Sequence, residues 1–376
     1  PSGRILLVRS LLTAAGVSLA FTLFLTPVFI RLFEKWGWGQ VIRTPENVHN
    51  PSHGAKRGTP TMGGTIFILG AVVGYLVGCF AGNNPPTISG WLVIWMMVGF
   101  GVVGFIDDFM KVRQQRSLGL SGWRKVLGQV LVAVPFGITA LMFPNASGQT
   151  PASPYISLFR DIQFLSLFAF GAIAGWVLYL LWITLLGVAA SNSVNVSDGL
   201  DGLAAGAGIF VIGAYSLIAF WQFNQVCNGD GIAAPLQAGC YDTRDPFDLA
   251  IVSAAFIGAL VGFLWWNTSK AKIFMGDVGS MAIGGVMAAM AILTHTELLM
   301  ILVGGIYVIA SGSVILQRLY FKLTRGKRLF LMSPLHHHLE MRGWSEVTIV
   351  VRFWIIAGIL AVSGVGLFYV EWLAQS

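Results

Sequence analysis

The sequence predicts an all-α integral membrane protein with about ten transmembrane helices. Hydrophobic residues make up 56% of the 376 residues and charged residues only 10%, whereas soluble domains carry about 25% charged residues. Apolar runs close to the ~20 residues that cross a bilayer recur along the whole chain. These runs are continuous rather than alternating, so they favour helices over the strands of a membrane β-barrel.

Ten apolar runs are predicted to span the membrane, and the eighth is the shortest. In chain order they are 11–30, 62–81, 91–106, 126–143, 164–186, 203–223, 249–266, 281–293, 298–319 and 348–370. The first is interpreted as a retained span rather than a signal peptide, because it is long and Arg31 and Lys35 follow it without a small-residue cleavage site. Pro1 rather than Met opens the chain, so further native residues are expected before it. Residues 1–376 are predicted to form a single polytopic membrane domain.

Lysine and arginine are distributed unevenly between the two predicted sides of the membrane. With ten spans both termini lie on one side, and 19 of the 23 basic residues fall on the other. The positive-inside rule assigns the basic side to the cytoplasm, which makes both termini extracytoplasmic. The predicted cytoplasmic loops are about 31–61, 107–125, 187–202, 267–280 and 320–347. The net charge of +7 is therefore attributed to topology and to membrane lipid headgroups, and no nucleic-acid partner is expected.

Two of the three cysteines fall in one predicted external loop. Cys227 and Cys240 could form a disulfide there, because an extracytoplasmic location permits one, and the sequence leaves this open. Cys79 lies within a span and is expected to be inert.

Five aspartates lie at span ends on the predicted cytoplasmic side: Asp107, Asp108, Asp198, Asp201 and Asp277. Asp107 and Asp108 close the third span, at the helix end where the macrodipole disfavours negative charge. Two adjacent carboxylates at this end of a helix are electrostatically unfavourable, and such an arrangement is typical of a metal or acid–base site. The alternative is a stop-transfer cap in which Lys111, four residues after Asp107, forms an ion pair.

Asp277 lies in the segment IFMGDVGS before the eighth span. The neighbouring glycines let the backbone approach a ligand closely, although a helix cap would use similar residues. Together with Asp107 and Asp108, Asp277 supplies carboxylate oxygens, which Mg²⁺ binds along with water and substrate phosphates. The sequence therefore predicts a Mg²⁺ site formed by these three residues.

The segment SNSVNVSDGLDGLAAG joins the fifth and sixth spans and contains no basic residue. Asp198 and Asp201 are three residues apart and would share a face once a helix begins, so a helix N-cap is one reading. Asn192 and Asn195 add amide groups beside glycines, which favours a polar ligand held by hydrogen bonds. We therefore predict that this segment binds a polar ligand.

Two further polar segments are predicted to bind phosphate. HGAKRGTPTMGG supplies Lys56 and Thr61 just before the second span, although such a loop could also anchor at the headgroups. PLHHHLEMRGW supplies His336, His337 and His338, which point about 100° apart on a helix and are not expected to bind one zinc together. Imidazoles can donate to phosphates or transfer protons near neutral pH, and a solvated loop is the alternative.

The ordered segments KRGTPTMGG, FIDDFMK, SVNVSDGLDGLAAG, FLWWN, IFMGDVGS and PLHHHLEMRGW resemble those of the bacterial phospho-N-acetylmuramoyl-pentapeptide transferases, the MraY family. The resemblance covers nearly the whole chain. It implies ten transmembrane helices, a homodimer and a Mg²⁺-dependent enzyme of the bacterial plasma membrane. The implied reaction transfers phospho-MurNAc-pentapeptide from UDP-MurNAc-pentapeptide to undecaprenyl phosphate. The products would be lipid I and UMP, in the first membrane step of peptidoglycan synthesis.

The resemblance also implies roles for individual residues. Asp107, Asp108, Asp277 and His336 match catalytic positions, with Asp107 as the base that acts on the lipid phosphate and Asp277 in Mg²⁺ binding. Phe274 would stack near the uracil. The implied substrate-binding positions are Lys56, Thr61, Lys111, Lys125, Asn192, Asn195, Asp198, Asp201, Phe274, His337 and His338. The chain departs from the family at Ala310, where a glutamate is expected in the ninth span.

Other functions stay open at this point. A transferase that moves GlcNAc-1-phosphate to a polyprenyl phosphate would use the same chemistry, although PLHHHLE favours the muramoyl substrate. A transporter also places charged groups at membrane ends, but the spans are nearly free of acids and bases and no inverted repeat is evident. A structural scaffold would leave the clustered aspartates unexplained.

Overall fold

The computed structural model describes residues 2–39, 58–115, 119–227 and 239–375. In chain order the elements are α1 (Ser2–Lys35), α2 (Gly64–Ala81), α3 (Ile88–Arg113), α4 (Gly122–Met142), β1 (Tyr155–Ser157), β2 (Asp161–Ser166), α5 (Ala172–Ser197), α6 (Leu203–Asn224), α7 (Pro246–Asn267), α8 (Gly276–Leu293), α9 (Met300–Val303), α10 (Gly305–Leu323), α11 (Leu335–Met341) and α12 (Glu346–Gln375).

Nine helices in this part of the chain, α1 to α8 and α12, are long and apolar enough to span a membrane. They agree with the predicted class of helical integral membrane protein. The predicted span 298–319 is divided by Gly304 into α9 and α10, and α10 carries Gln317, Arg318 and Lys322 near its end. The count of ten spans and the side on which the termini lie therefore stay predictions.

Helix α8 lies at the centre of the bundle. In the most apolar 18-residue stretch of α8, 89% of the residues are buried inside the protein. The corresponding share is 22% in α1 and 28% in α12. Glycines allow its neighbours to approach closely: a Cβ on Gly64 of α2 would overlap the backbone of Gly279, and one on Gly104 of α3 would overlap the carbonyl of Asp277. The end of α3 and the start of α8 are therefore held side by side.

The fifth predicted span, 164–186, is wrong at both ends. Residues 164–166 belong to β2, which forms an antiparallel hairpin with β1. Helix α5 begins only after Gly171, whose φ of +95° suits glycine and interrupts the chain. A short apolar strand and a buried helical segment have the same apolar content, so composition alone did not separate them.

The predicted loop 187–202 is helical as far as Ser197. Its polar residues stay in the helix because they bond to the turn before them: Ser191 Oγ donates to Gly187 O at 2.7 Å, and Asn192 Nδ2 donates to Val188 O at 2.8 Å. The loop 107–125 is also shorter than predicted, because α3 continues to Arg113 and α4 begins at Gly122.

Cys227 and Cys240 form a disulfide, which resolves the alternative left open by the sequence. Cys79 is buried, in agreement with an inert thiol. The disulfide lies at the end of the bundle where α12 finishes: Arg160 stacks 4.1 Å above the Tyr241 ring and pairs with Glu371 at 3.0 Å.

Replacing both disulfide cysteines with serine is expected to lower the free energy of unfolding by about 3 kcal/mol. Without the cross-link, the loop between the two residues is no longer closed in the unfolded chain, which therefore gains conformational entropy. The two cysteines are 13 residues apart. Thermal unfolding of the purified protein in detergent, with and without reductant, measures the effect. Equal midpoints for the wild type and the double variant would contradict it.

Candidate active site

The three carboxylates predicted to bind a cation lie together at one end of the bundle. Asp107 and Asp108 come from the last two turns of α3, and Asp277 from the first turn of α8. One oxygen atom of each residue lies within 4.8 Å of the other two. Asp107 is only 1% exposed and Asp108 only 4%. These hard oxygen donors could hold a divalent cation.

Two lysines pair with the three carboxylates. Lys111 Nζ lies 2.6 Å from Asp107 Oδ2, 3.2 Å from Asp108 Oδ1 and 3.0 Å from Asp277 Oδ2. Lys125 Nζ, from the start of α4, lies 2.7 Å from Asp277 Oδ2 and 3.3 Å from Asp107 Oδ2. The ion pair between Asp107 and Lys111, which belonged to the alternative reading of a stop-transfer cap, is present as part of a larger cluster. Two ammonium groups against three carboxylates leave one formal negative charge.

Backbone amides fix the carboxylates of α3. Leu120 N donates to Asp107 Oδ1 at 2.7 Å, and Val278 N donates to Asp108 Oδ2 at 3.2 Å. The second bond sets Asp108 against the positive end of α8. Asp107 Oδ2 is buried and, apart from the two lysine ammonium groups, has no hydrogen-bond partner in the described ranges. A divalent cation could bind this oxygen in place of an ammonium group.

The segment before α2 lies against the start of α8. Gly63 N donates to Phe274 O at 2.8 Å, which joins the two predicted binding segments. Gly276 has a φ of +69°, and a Cβ there would overlap Asp108 Oδ2 and lie 3.0 Å from Thr61 Oγ1. Only glycine fits both requirements. Thr61 is buried beside the cluster and the Phe274 ring is half-buried, whereas Lys56 lies outside the described residues.

Asp198 lies in the loop after α5 and is half-buried. Burial, and then the charges of Asp277 and Asp108, raise the pKa of Asp198 to about 8. The structure therefore brings this carboxyl group into the electrostatic range of the cluster, in a form that is protonated near neutral pH. Asn195 is half-buried one turn earlier in α5.

Asp201 connects three parts of the chain. Its Oδ2 accepts from Ala271 N at 3.0 Å, and its own backbone N–H donates to Glu346 Oε1 at 2.9 Å. The alternative reading of this segment as a helix N-cap is not supported, because α6 begins at Leu203 and its N-cap residue is Gly202. Asp201 thus holds the loop between α5 and α6 against the loop before α8 and the start of α12.

Asn192 uses its amide group for bonds within α5 and to α4. Its Nδ2 donates to Val188 O at 2.8 Å and to Gln129 Oε1 of α4 at 3.4 Å. These bonds join α5 to α4 within the bundle, so its predicted contact with a ligand stays a prediction without geometric support.

The three histidines of α11 have different surroundings. His336 is fully buried, and neither ring nitrogen has a partner in the described parts of the chain. Burial, and then His337, lower the pKa of His336 to about 3, so its ring is neutral at neutral pH. His337 Nδ1 lies 2.6 Å from Glu340 Oε2, and His338 Nδ1 accepts from Leu331 N at 3.1 Å.

His336 and His337 pack against the loop that carries Asp198. A Cβ on Gly199 would overlap His336 Nε2 and lie 2.8 Å from His337 Nε2. The histidine segment therefore lies next to the loop between α5 and α6. A neutral buried imidazole can donate a hydrogen bond, but it does not supply a positive charge.

Three groups in the site were not found from the sequence: Gly104, the Leu120 N–H and Glu346. Gly104 lies one turn before Asp107 and makes room for Asp277, and its place next to an acidic pair was the one available signal. The other two are defined by contacts between distant segments, so no local pattern marks them.

Comparison with known proteins gives consistent matches. The model of glycosyl transferase family 4 matches residues 90–295, and signature 1 of phospho-N-acetylmuramoyl-pentapeptide-transferase matches residues 56–68. A relative named phospho-N-acetylmuramoyl-pentapeptide-transferase from Clavibacter sepedonicus is 56% identical, over 97% of this chain and 100% of the relative. Relatives of the same name from Arthrobacter sp. (strain FB24) and Kineococcus radiotolerans are each 51% identical, over 97% of this chain and 99% of the relative.

Proposed function

Because the chain belongs to the phospho-N-acetylmuramoyl-pentapeptide-transferase family, we infer that its carboxylate and lysine cluster is the place where phospho-MurNAc-pentapeptide passes from UDP-MurNAc-pentapeptide to undecaprenyl phosphate, giving lipid I and UMP. The observation that carries this assignment is the meeting of Asp107, Asp108 and Asp277 with two lysines at one end of a membrane bundle. Two anionic reactants can approach each other where cations screen their charges, and this cluster combines two ammonium groups with oxygen ligands for a divalent cation.

The cluster fits Mg²⁺ as the cofactor of this reaction. Its carboxylate oxygens are hard ligands, it carries a formal negative charge, and Asp107 Oδ2 is buried against two ammonium groups. Asp107, Asp108 and Asp277 would hold the ion, which when bound would neutralise charge on the donor diphosphate.

The residues of the chain then have distinct tasks. Lys111 and Lys125 supply positive charge beside the carboxylates. Asp107 would accept a proton from the lipid phosphate. An oxygen of the lipid phosphate attacks the sugar-proximal phosphorus directly, and UMP leaves. The acceptor phosphate is already largely ionised at neutral pH, so screening of charge contributes more than proton removal.

We assign the nucleotide to the surface formed by the segment before α8 and by the end of α5 with the loop that follows it. Phe274 would stack on the uracil, and Asn195 and Asp198 would face the nucleoside and diphosphate. Asp201 and Glu346 position this surface rather than contact the reacting atoms. His336, His337 and Lys56 would bind phosphate or the polar head.

We propose a bacterial plasma membrane enzyme with ten transmembrane helices, extracytoplasmic termini, a cytoplasmic active site and a homodimeric state. The uneven distribution of basic residues supports the orientation, as does a disulfide at the end of the bundle away from Asp107. A cysteine at exposed Ser121 should react with an impermeant thiol reagent in inverted vesicles, and one at exposed Ser147 in whole cells. The reverse pattern would contradict this orientation.

A UMP-release assay on the purified protein in detergent tests the reaction. We expect UMP and lipid I from UDP-MurNAc-pentapeptide with undecaprenyl phosphate, loss of both after metal chelation, and recovery with Mg²⁺. Equal UMP release from UDP-GlcNAc would favour a GlcNAc-1-phosphate transferase instead. Absence of UMP with both donors would overturn the assignment.

A further inference from the structure

Lys111 lies at the centre of the carboxylate cluster, whereas Lys125 lies at its edge. The Lys111 ammonium group is within 3.2 Å of an oxygen atom of each of Asp107, Asp108 and Asp277. Of the three cluster carboxylates, the Lys125 ammonium group pairs with two, those of Asp107 and Asp277. A single monovalent cation thus occupies the space enclosed by all three carboxylates.

A divalent cation bound by the same three carboxylates would need that space. Mg²⁺ requires oxygen ligands at about 2.0–2.1 Å, and the three oxygen atoms lie within 4.8 Å of one another, so the ion would lie between them. Lys111 Nζ already lies between them, 2.6 Å from Asp107 Oδ2. Two cations cannot share this space, because they would overlap and repel each other.

We propose that Lys111 is the resident counter-ion of the cluster and leaves it when a divalent cation binds. This inference rests on the proposed function of the site. Before the metal arrives, the Lys111 ammonium group holds the three carboxylates together in a buried setting. Its side chain is 29% exposed on the last turn of α3, so the flexible stem can swing outward while the carboxylates stay in place.

The balance of charge favours this exchange. The cluster has a formal charge of −1 with both lysines in place. Replacing the Lys111 ammonium group with a divalent cation makes the formal charge zero, whereas adding the ion without displacement would leave a buried positive charge. The displaced ammonium group then becomes free to contact an anionic reactant, so metal binding and anion binding are coupled through one side chain.

Binding of Mn²⁺ to the purified full-length protein, followed by electron paramagnetic resonance without substrates, tests the exchange. Lys111→Met is expected to bind Mn²⁺ about 10-fold more tightly than the wild type, because no ammonium group competes for the space. The matched variant Lys125→Met should show a smaller gain, because Lys125 does not lie among all three carboxylates.

If Lys111→Met bound Mn²⁺ with the same affinity as the wild type or more weakly, the exchange would be overturned. The proposed metal site would not be affected by that result. Absence of Mn²⁺ binding in the wild type and in both variants would instead overturn the metal site itself.

Amine labelling of the unaltered protein gives a second measurement that does not depend on a variant. Acetylation at Lys111, quantified by peptide mass spectrometry, should become several-fold faster in saturating Mg²⁺, because the amine moves out of the cluster. Lys322, which is exposed at the end of α10, serves as the reference and should not respond. A Lys111 rate that is unchanged or slower in Mg²⁺ would contradict displacement.

Discussion

Asp277→Asn is expected to reduce the rate of UMP release by about 10³-fold while the protein remains folded. Asp277 contacts both Lys111 and Lys125, and it is the one cluster carboxylate that comes from α8. An amide at this position removes a hard cation ligand and weakens the hold on both ammonium groups. Two carboxylates would still face two ammonium groups, so no unbalanced charge is buried and folding should persist.

The rate constant at saturating substrates, together with the thermal unfolding midpoint, measures this effect. Asp242→Asn is the matched control, because Asp242 is an exposed aspartate next to the disulfide, at the other end of the bundle. It should leave the rate unchanged. Near wild-type turnover of Asp277→Asn would remove that residue from the catalytic machinery.

Asp107→Asn is expected to slow UMP release by about 10²-fold, less than Asp277→Asn does. Asp107 Oδ2 faces both ammonium groups, while its Oδ1 is held by the Leu120 N–H, and an asparagine can keep the second contact. The smaller loss follows from the chemistry of the acceptor. A phosphate that is already ionised needs little help from a base, so the loss mainly reflects weaker screening of charge.

Which of the two variants releases UMP more slowly distinguishes between the possible roles of Asp107. If Asp107 were an essential base or a nucleophile, its loss would be at least as severe as the loss of Asp277. Rate constants for both variants, measured in the same detergent and at the same Mg²⁺ concentration, decide this. A slower Asp107→Asn enzyme would contradict a mainly electrostatic role.

The helical membrane class and the convergence of Asp107, Asp108 and Asp277 could be predicted from the sequence. Apolar content marks a span whatever the span packs against, and an acidic pair at a helix carboxyl end is costly enough to need a partner. The ion pair between Asp107 and Lys111 followed from helical spacing alone.

Other features depend on contacts that no local pattern encodes. Ser191 and Asn192 looked like loop residues, but each satisfies its side chain on the preceding helical turn. Asp201 looked like a cap or a ligand contact, and it is a bridge to Ala271 and Glu346, which are 70 and 145 residues away. The burial of His336 depends on Gly199, which has no side chain to keep the ring away.

Direct transfer between two phosphates is tested most directly by omitting the acceptor. Stoichiometric enzyme is mixed with UDP-MurNAc-pentapeptide and Mg²⁺ without undecaprenyl phosphate, and both UMP and protein-bound sugar are measured in a single turnover. Direct attack predicts no UMP release and no adduct until the lipid phosphate is added. One equivalent of UMP per enzyme, together with a phospho-sugar trapped on an aspartate, would contradict it.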